Sequence, residues 1–271
     1  MKLEDQIAAH RGGLSPAETR VADFLLANPH SVGHLSALKL AAASGTSDAT
    51  VVRTVHKLGF AGLDELREHL AAELSQAGRL QSTVRAFGDG VVSRHVAACT
   101  GALTSLPERL SDDGLTAALD VLAHAARVVI VGFGPARHIA SYTAQYLARG
   151  GVPALAMGMT GRGFADQVIA LAPEDAVILL SYDNPSEEVE ALYTRAGQLG
   201  VPVVQVTESR LVADPRAAVA LGVGRGNPAY SPSHVPTLAV LEALADAVVA
   251  TDPARSARAA ADLAELREML S

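Results

Sequence analysis

SALKLAAASGTSDATVVRTVHKLGF, Ser36 to Phe60, contains two helical segments separated by a glycine. Ala37–Ala43 is helical by composition. Gly45 supplies the turn, because glycine takes a positive φ at little cost. Ser47 is a good N-cap, and Asp48 suits the positive end of the helix that follows. The spacing predicts that helix from about Asp48 to Leu58, with Val51, Val55 and Leu58 inward and Thr50, Arg53, Thr54 and Lys57 outward. Two short helices about a glycine turn, the second presenting Thr and Arg, is the layout of a helix-turn-helix, whose second helix lies in a DNA major groove.

Upstream, Ser15-Pro16-Ala17-Glu18 is a helix start, with Ser15 as cap, Pro16 at the first helical position and Glu18 three residues on. That helix is expected to reach Ala27 on a buried stripe of Val21, Phe24 and Leu25, and Asn28-Pro29 stops it. Residues 1–12 read as a preceding helix, His30 to Leu35 as a connection, and Leu63 to Leu74 as a further amphipathic helix. Leu14-Ser15-Pro16-Ala17-Glu18, Val21-Ala22-Asp23-Phe24-Leu25, Asn28-Pro29, Ser47-Asp48-Ala49-Thr50-Val51-Val52-Arg53 and Lys57-Leu58-Gly59-Phe60-Ala61-Gly62 follow one another with few gaps. In this order they resemble the N-terminal domain of the RpiR/MurR family of bacterial transcriptional regulators. The resemblance implies binding to double-stranded DNA. Thr46, Ser47, Thr50, Arg53, Thr54 and Lys57 are the candidate contacts, Arg53 suiting guanine or a phosphate, Lys57 and Ser47 phosphates.

The chain has 271 residues, enough for one large domain or two ordinary ones. Hydrophobic residues make up 49% but aromatics only 4%, with no Trp, so the core has to be built from Ala, Leu and Val. Cys99 is the only cysteine, which excludes an internal disulfide and a cysteine metal cluster and fits a reducing, cytoplasmic setting. The opening MKLEDQIAAHRGG is too polar for a signal peptide, and no apolar run approaches the ~18 residues of a membrane span, so no membrane partner is expected. The nine histidines do not cluster at ligand spacing on any one helix, and neither metal nor cofactor is expected. A net charge of −7 argues against a general nucleic-acid coat protein, yet a sequence-specific regulator needs few cations on one face. Acids outnumber bases up to Gly78, so one such domain should bind weakly, and a homodimer or homotetramer would make two act together.

Gln76, Gly78, Gln81, Ser82, Gly88 and Gly90 break any apolar period. The expected division is therefore a helix-turn-helix domain at 1–78, a linker at 79–90 and a second domain at 91–271. Val92, Val96, Cys99 and Leu103 have helical spacing, with Cys99 expected to be buried, and Leu115 to Ala125 is another helix. From Arg127 the pattern changes. Val128-Val129-Ile130-Val131 is a continuous β-branched run, as in a strand buried on both faces. Further strands are expected at Pro153 to Met157, Ala176 to Leu180, Val203 to Val206 and Val219 to Val223. Helices are expected between them at about Ala136 to Arg149, Phe164 to Leu171 and up to Leu199, then at Val235 to Ala250 and Ser256 to Leu270. Such alternation predicts an α/β fold: a flavodoxin-like, doubly wound parallel sheet of five strands in the order 2-1-3-4-5, behind an all-α N-terminal domain.

Strand–Gly132-Phe133-Gly134–helix and strand–Ser181 to Ser186–helix place two loops at the carboxyl ends of neighbouring strands, where small ligands bind and helix N-termini attract anions. Val128 to Gly134, Leu179-Leu180-Ser181-Tyr182 with Ser186 and Glu188, and Gly200-Val201-Pro202-Val203 resemble a SIS domain, the sugar isomerase module that binds phosphosugars. The resemblance implies a ligand site at Gly132, Gly134, Ala136, Arg137, Ser181, Tyr182, Asp183, Ser186 and His234. It also meets departures. Ala136 stands where the family has a hydroxyl residue, Asp183 where it has a phosphate-binding serine, and Asn184 where it has glycine. A carboxylate close to a phosphate repels it unless a cation intervenes. Two readings follow: Arg137 or Arg162 offsets Asp183 and a sugar acid or phosphosugar binds, or else the ligand is not a phosphosugar at all or the pocket is vestigial. A plain helix cap is the alternative role for Ser186. The glycine loop is a poor dinucleotide fingerprint, since Arg137 replaces the third glycine and no acid ends the second strand.

The expected function is a regulator that binds DNA and responds to a small metabolite, without enzymatic activity. The rivals are a SIS-fold isomerase or etherase using Glu187, Glu188 and His234, and a regulator whose second domain only dimerises.

Overall fold

Chemically marked starts set the helices of the N-terminal unit. These are α1 (Leu3–His10), α2 (Pro16–Ala27), α3 (Pro29–Val32), α4 (Ala37–Ala43), α5 (Asp48–Lys57) and α6 (Leu63–Leu74). Ser15 and Glu18 close a capping box on α2, the Glu18 carboxylate accepting the Ser15 N–H at 2.7 Å. Ser36 and Ser47 cap α4 and α5, accepting from Lys39 N and Thr50 N at 3.3 and 3.2 Å. Gly45 carries the turn at φ +62°. Ile7, Val21, Leu25, Leu40, Val51, Val55, Leu58 and Leu66 form one buried core. Two local expectations differ. The first helix stops at His10, and a 3-10 turn, Arg11–Gly13, carries the chain on. The expected connection after Asn28 contains α3, because Pro29 opens a helix at the position where a missing N–H breaks no bond.

The computed structural model describes residues 2–33, 35–75, 91–182, 186–210, 213–225 and 232–270, without the side chains of 30, 31 and 91. The expected linker at 79–90 lies outside these residues. By its contacts the chain divides between Ala98 and Cys99, inside α7 (Val91–Thr104). Val92 and Val96 on that helix are exposed, and Cys99 is half-buried rather than fully buried as its spacing predicts.

The second unit continues with α8 (Leu106–Arg109) and α9 (Asp112–Ala123), then alternates: β1 (Arg127–Gly132), α10 (Ala136–Arg149), β2 (Ala154–Met157), α11 (Arg162–Val168), β3 (Asp175–Leu180), α12 (Glu187–Leu199), β4 (Val203–Thr207), β5 (Val219–Gly222), α13 (Val235–Ala250) and α14 (Pro253–Glu268). The five strands are parallel, in the order β2-β1-β3-β4-β5. Alternate residues of the apolar runs serve opposite faces. Val128, Ile130, Ile178 and Val204 pack under α9, α10 and α13. Val129, Val131, Val177 and Leu179 pack under α11 and α12. Arg127 grips the buried Asp175 carboxylate with two bonds of 2.9 and 2.7 Å, which pins the start of β1 to that of β3. The carboxyl ends of the strands thus lie along one edge, with α10 and α12 starting there.

Candidate functional site

On α5 the polar side chains divide differently from the outward placement that their spacing predicts. Thr54 is fully buried, and its hydroxyl donates to the Thr50 carbonyl at 2.8 Å. Thr50 is also buried, and its hydroxyl shares a hydrogen bond of 2.9 Å with Ser47. Threonine tolerates this, because its hydroxyl can bond locally, to its own helix or its cap. The outward side consists instead of Ala49, Val52, Arg53, His56 and Lys57, with Ser47 and Asp48 at its start, so Arg53 and Lys57 are exposed as their spacing predicts. Thr46 is half-buried and shares a 2.9 Å bond with Ser44. Arg53 is exposed and lies back along the helix, its Nε donating to the Ala49 carbonyl at 3.2 Å.

The Lys57 ammonium donates to Glu18 at 2.8 Å and to the Gly13 carbonyl at 3.2 Å, so it ties the end of α5 to the start of α2. That bond, with the Ser15 N–H behind it, holds the Glu18 carboxyl at about 2, well below its usual 4.5. Arg20 escaped the sequence reading. It is exposed on α2 and donates to the Gly45 carbonyl at 3.4 Å, which sets a guanidinium at the turn before α5. No spacing signal exists for it, because its partner is 25 residues away.

At the strand ends the backbones of two loops meet closely. A Cβ on Gly158 would fall 2.6 Å from the Gly132 carbonyl oxygen and 2.8 Å from Arg137 Cβ, so only glycine fits. Gln167 accepts from the N–H groups of Gly158 and Met159, both at 3.0 Å, and Phe133 meets Phe164 edge-on at 5.1 Å. Gly134 turns into α10 at φ +54°. Ala136 is buried, while Arg137 and His138 are exposed, Arg137 Nε donating to His138 Nε2 at 3.2 Å. Arg162 and Glu187 are exposed at the starts of α11 and α12.

Ser181 is half-buried and Ser186 exposed. The Ser186 hydroxyl caps α12 by accepting from Val189 N at 3.4 Å. Asp183, Asn184 and Pro185 lie outside the described residues. Glu188 accepts the Gly161 N–H at 3.0 Å, and that bond holds its carboxyl below the usual range. Tyr182, two residues past the end of β3, is buried. Its hydroxyl shares a 2.7 Å bond with Thr237, the Arg225 guanidinium lies 4.1 Å over its ring, and His234 meets it edge-on at 5.5 Å. Glu208 accepts from both the backbone N and Nε of Arg225, each at 2.9 Å. Burial pushes the Tyr182 phenol well above its usual value. Glu208, Arg225 and Thr237 were missed by the sequence reading, since their pairings span 17 and 55 residues. The edge therefore has a packed polar floor below and two helix N-termini with hydroxyls above, an arrangement suited to an anionic polar ligand. Among the described residues no group of His, Cys, Asp or Glu could hold a metal ion, and no helix is long and apolar enough to cross a membrane.

A helix-turn-helix bundle and a parallel sheet with receptive strand ends, on one chain, make up the two-domain layout of a sensory transcriptional regulator. Residues 1–77 match the helix-turn-helix domain of the rpiR family and residues 121–247 the SIS domain. The chain belongs to the RpiR family of transcriptional regulators. It is 29% identical over 224 residues to the bifunctional protein glk of Burkholderia mallei, across 80% of this chain and 34% of that protein, so the chain spans about a third of that relative's length. It is 25% identical over 206 residues to YfhH of Escherichia coli K12, named an uncharacterized HTH-type transcriptional regulator, across 72% of this chain and 71% of that one. The Vibrio vulnificus NanR protein complexed with ManNAc-6P shares the fold over 100% of both chains, with a TM-score of 0.62 at 22% identity.

Proposed function

We propose that the chain binds operator DNA as a homo-oligomer in the cytoplasm, using residues within 1–78, and is switched by a phosphosugar or related sugar derivative held by residues within 91–271. The observation that carries the effector reading is the opening of α10 and α12 at one edge of the sheet, beside Gly134, Ser181 and Ser186. Helix N-termini with nearby hydroxyls attract a phosphate. Gly132 and Gly134 let the backbone approach, Arg137 supplies positive charge, and Ser181 and Ser186 supply hydroxyls. NanR, which shares the fold, was solved with ManNAc-6P, a ligand of this chemistry. A ligand here acts on DNA binding only through its differential affinity for two arrangements of the assembly.

The same edge supports a sensor rather than an isomerase. Glu188 is held ionised by a backbone N–H, the opposite of a carboxyl poised to give a proton near neutral pH. The test is thermal unfolding of the full chain with ManNAc-6P, with other phosphosugars and with the unphosphorylated sugars. A phosphosugar at a hundredfold excess over its dissociation constant should stabilise by about 2.7 kcal/mol and the unphosphorylated sugar by much less. The response should vanish in Ser181→Ala. Stabilisation by none of them, or turnover of any of them, rejects the reading.

A further inference from the structure

We propose that α5 reads thymine methyl groups through Ala49 and Val52, beside the contact made by Arg53, so that each operator half-site carries thymines one or two base pairs apart at fixed positions. The inference rests on DNA binding by this helix-turn-helix. It replaces the threonines as readers, because Thr50 and Thr54 are buried and bonded within the helix. Val52 is 41% exposed, a large apolar side chain on the outward face, and Ala49 is exposed one turn before it. Residues at i and i+3 stand about 5–6 Å apart on a helix face. Base pairs rise by about 3.4 Å, so two such side chains address methyls one or two steps apart. In the major groove only thymine offers a methyl, and small apolar side chains are what it packs against.

The charge around this stripe fits a duplex. Arg20, Lys39 and Arg53 are exposed, Arg20 with its guanidinium at the Gly45 turn. Asp48, also exposed, is the one acid on the outward face of α5, and it accepts the Ala49 N–H at 2.8 Å. A carboxylate there disfavours a phosphate but suits a cytosine amino group.

The experiment begins with selection of an operator from a random duplex library by the full-length protein. Each thymine of the selected half-site is then replaced by deoxyuridine, which removes the methyl alone. One or two positions per half-site should bind about fourfold more weakly, the effect of exposing one methyl. In Val52→Ala, whose melting temperature should match the parent because the site is exposed, the thymine and deoxyuridine duplexes should bind alike at the position Val52 covers. Deoxyuridine tolerated at every position, or an equal loss in Val52→Ala, overturns the inference while leaving DNA binding by α5 intact. Selection of no sequence would remove the regulator reading and this inference together.

Discussion

Helix α5 turns its threonines inward and leaves Ala49, Val52, Arg53 and His56 in solvent, whereas the edge of the sheet sinks Tyr182, Arg225, Glu208 and Thr237 beneath its loops. The difference lies in where each buried polar group finds its partner. Thr54 bonds a carbonyl one turn back on its own helix. Arg225 and Tyr182 take their partners from other elements. Local satisfaction makes a side chain replaceable. Long-range satisfaction makes each member hostage to the others, since removing one leaves a buried group unpaired.

The largest effect should come from Arg225→Ala, which leaves the Glu208 carboxylate largely buried without its cation. We expect about 3 kcal/mol lost from the unfolding of the second unit. Urea denaturation followed by probes in each unit should find the first unit unchanged. Next is Thr237→Val, which strands the buried Tyr182 hydroxyl and should cost about 1–3 kcal/mol. On α5, Arg53→Ala should weaken operator binding by about 1–3 kcal/mol in a gel-shift titration. Lys57→Ala should weaken it less, because its ammonium is already engaged by Glu18 and Gly13; a larger loss would show that Lys57 leaves Glu18 for a phosphate.

Glu18 gives a comparison by pH. Its folded carboxyl sits near 2 against 4.5 when free, so its contribution is complete above about 4.5 and is lost as pH falls from there through 2. Glu18→Gln should remove that part of the acid sensitivity of the first unit, measured as the difference between parent and variant melting curves across this window. The smallest effect belongs to Thr54→Val, within about 0.5 kcal/mol, since its hydroxyl leaves together with its bond within the helix and the Thr50 carbonyl keeps its helical partner. Equal losses in Thr54→Val and Thr237→Val would break the contrast between the two regions.

Much of this architecture was legible in the chain. The capping box at Ser15 and Glu18, the Ser47 cap and Gly45 marked helices of the first unit. The β-branched runs and the glycine turns between helices ordered the sheet as observed. The face of α5 was not legible. Thr50 and Thr54 flank Val51 and Val55 on one side and Val52 flanks them on the other. Which flank is covered depends on where α2 and α4 lie against the helix, and threonine suits either setting. The floor under the strand ends was equally hidden. Glu208, Arg225 and Thr237 carry no motif, and Ser186, a candidate for a ligand, is also used as a helix cap.

By itself the sequence determined where most helices and strands lie, because caps, glycine turns and apolar runs act over a few residues. It also determined the order of the parallel strands, since alternating strands and helices admit few ways to wind a sheet. Only the tertiary structure decided that α5 presents Ala49 and Val52 rather than its threonines, and that Arg225 lies over Tyr182. Both depend on contacts between elements far apart in the chain, and burial there is set by which neighbour arrives, not by the residue's own polarity.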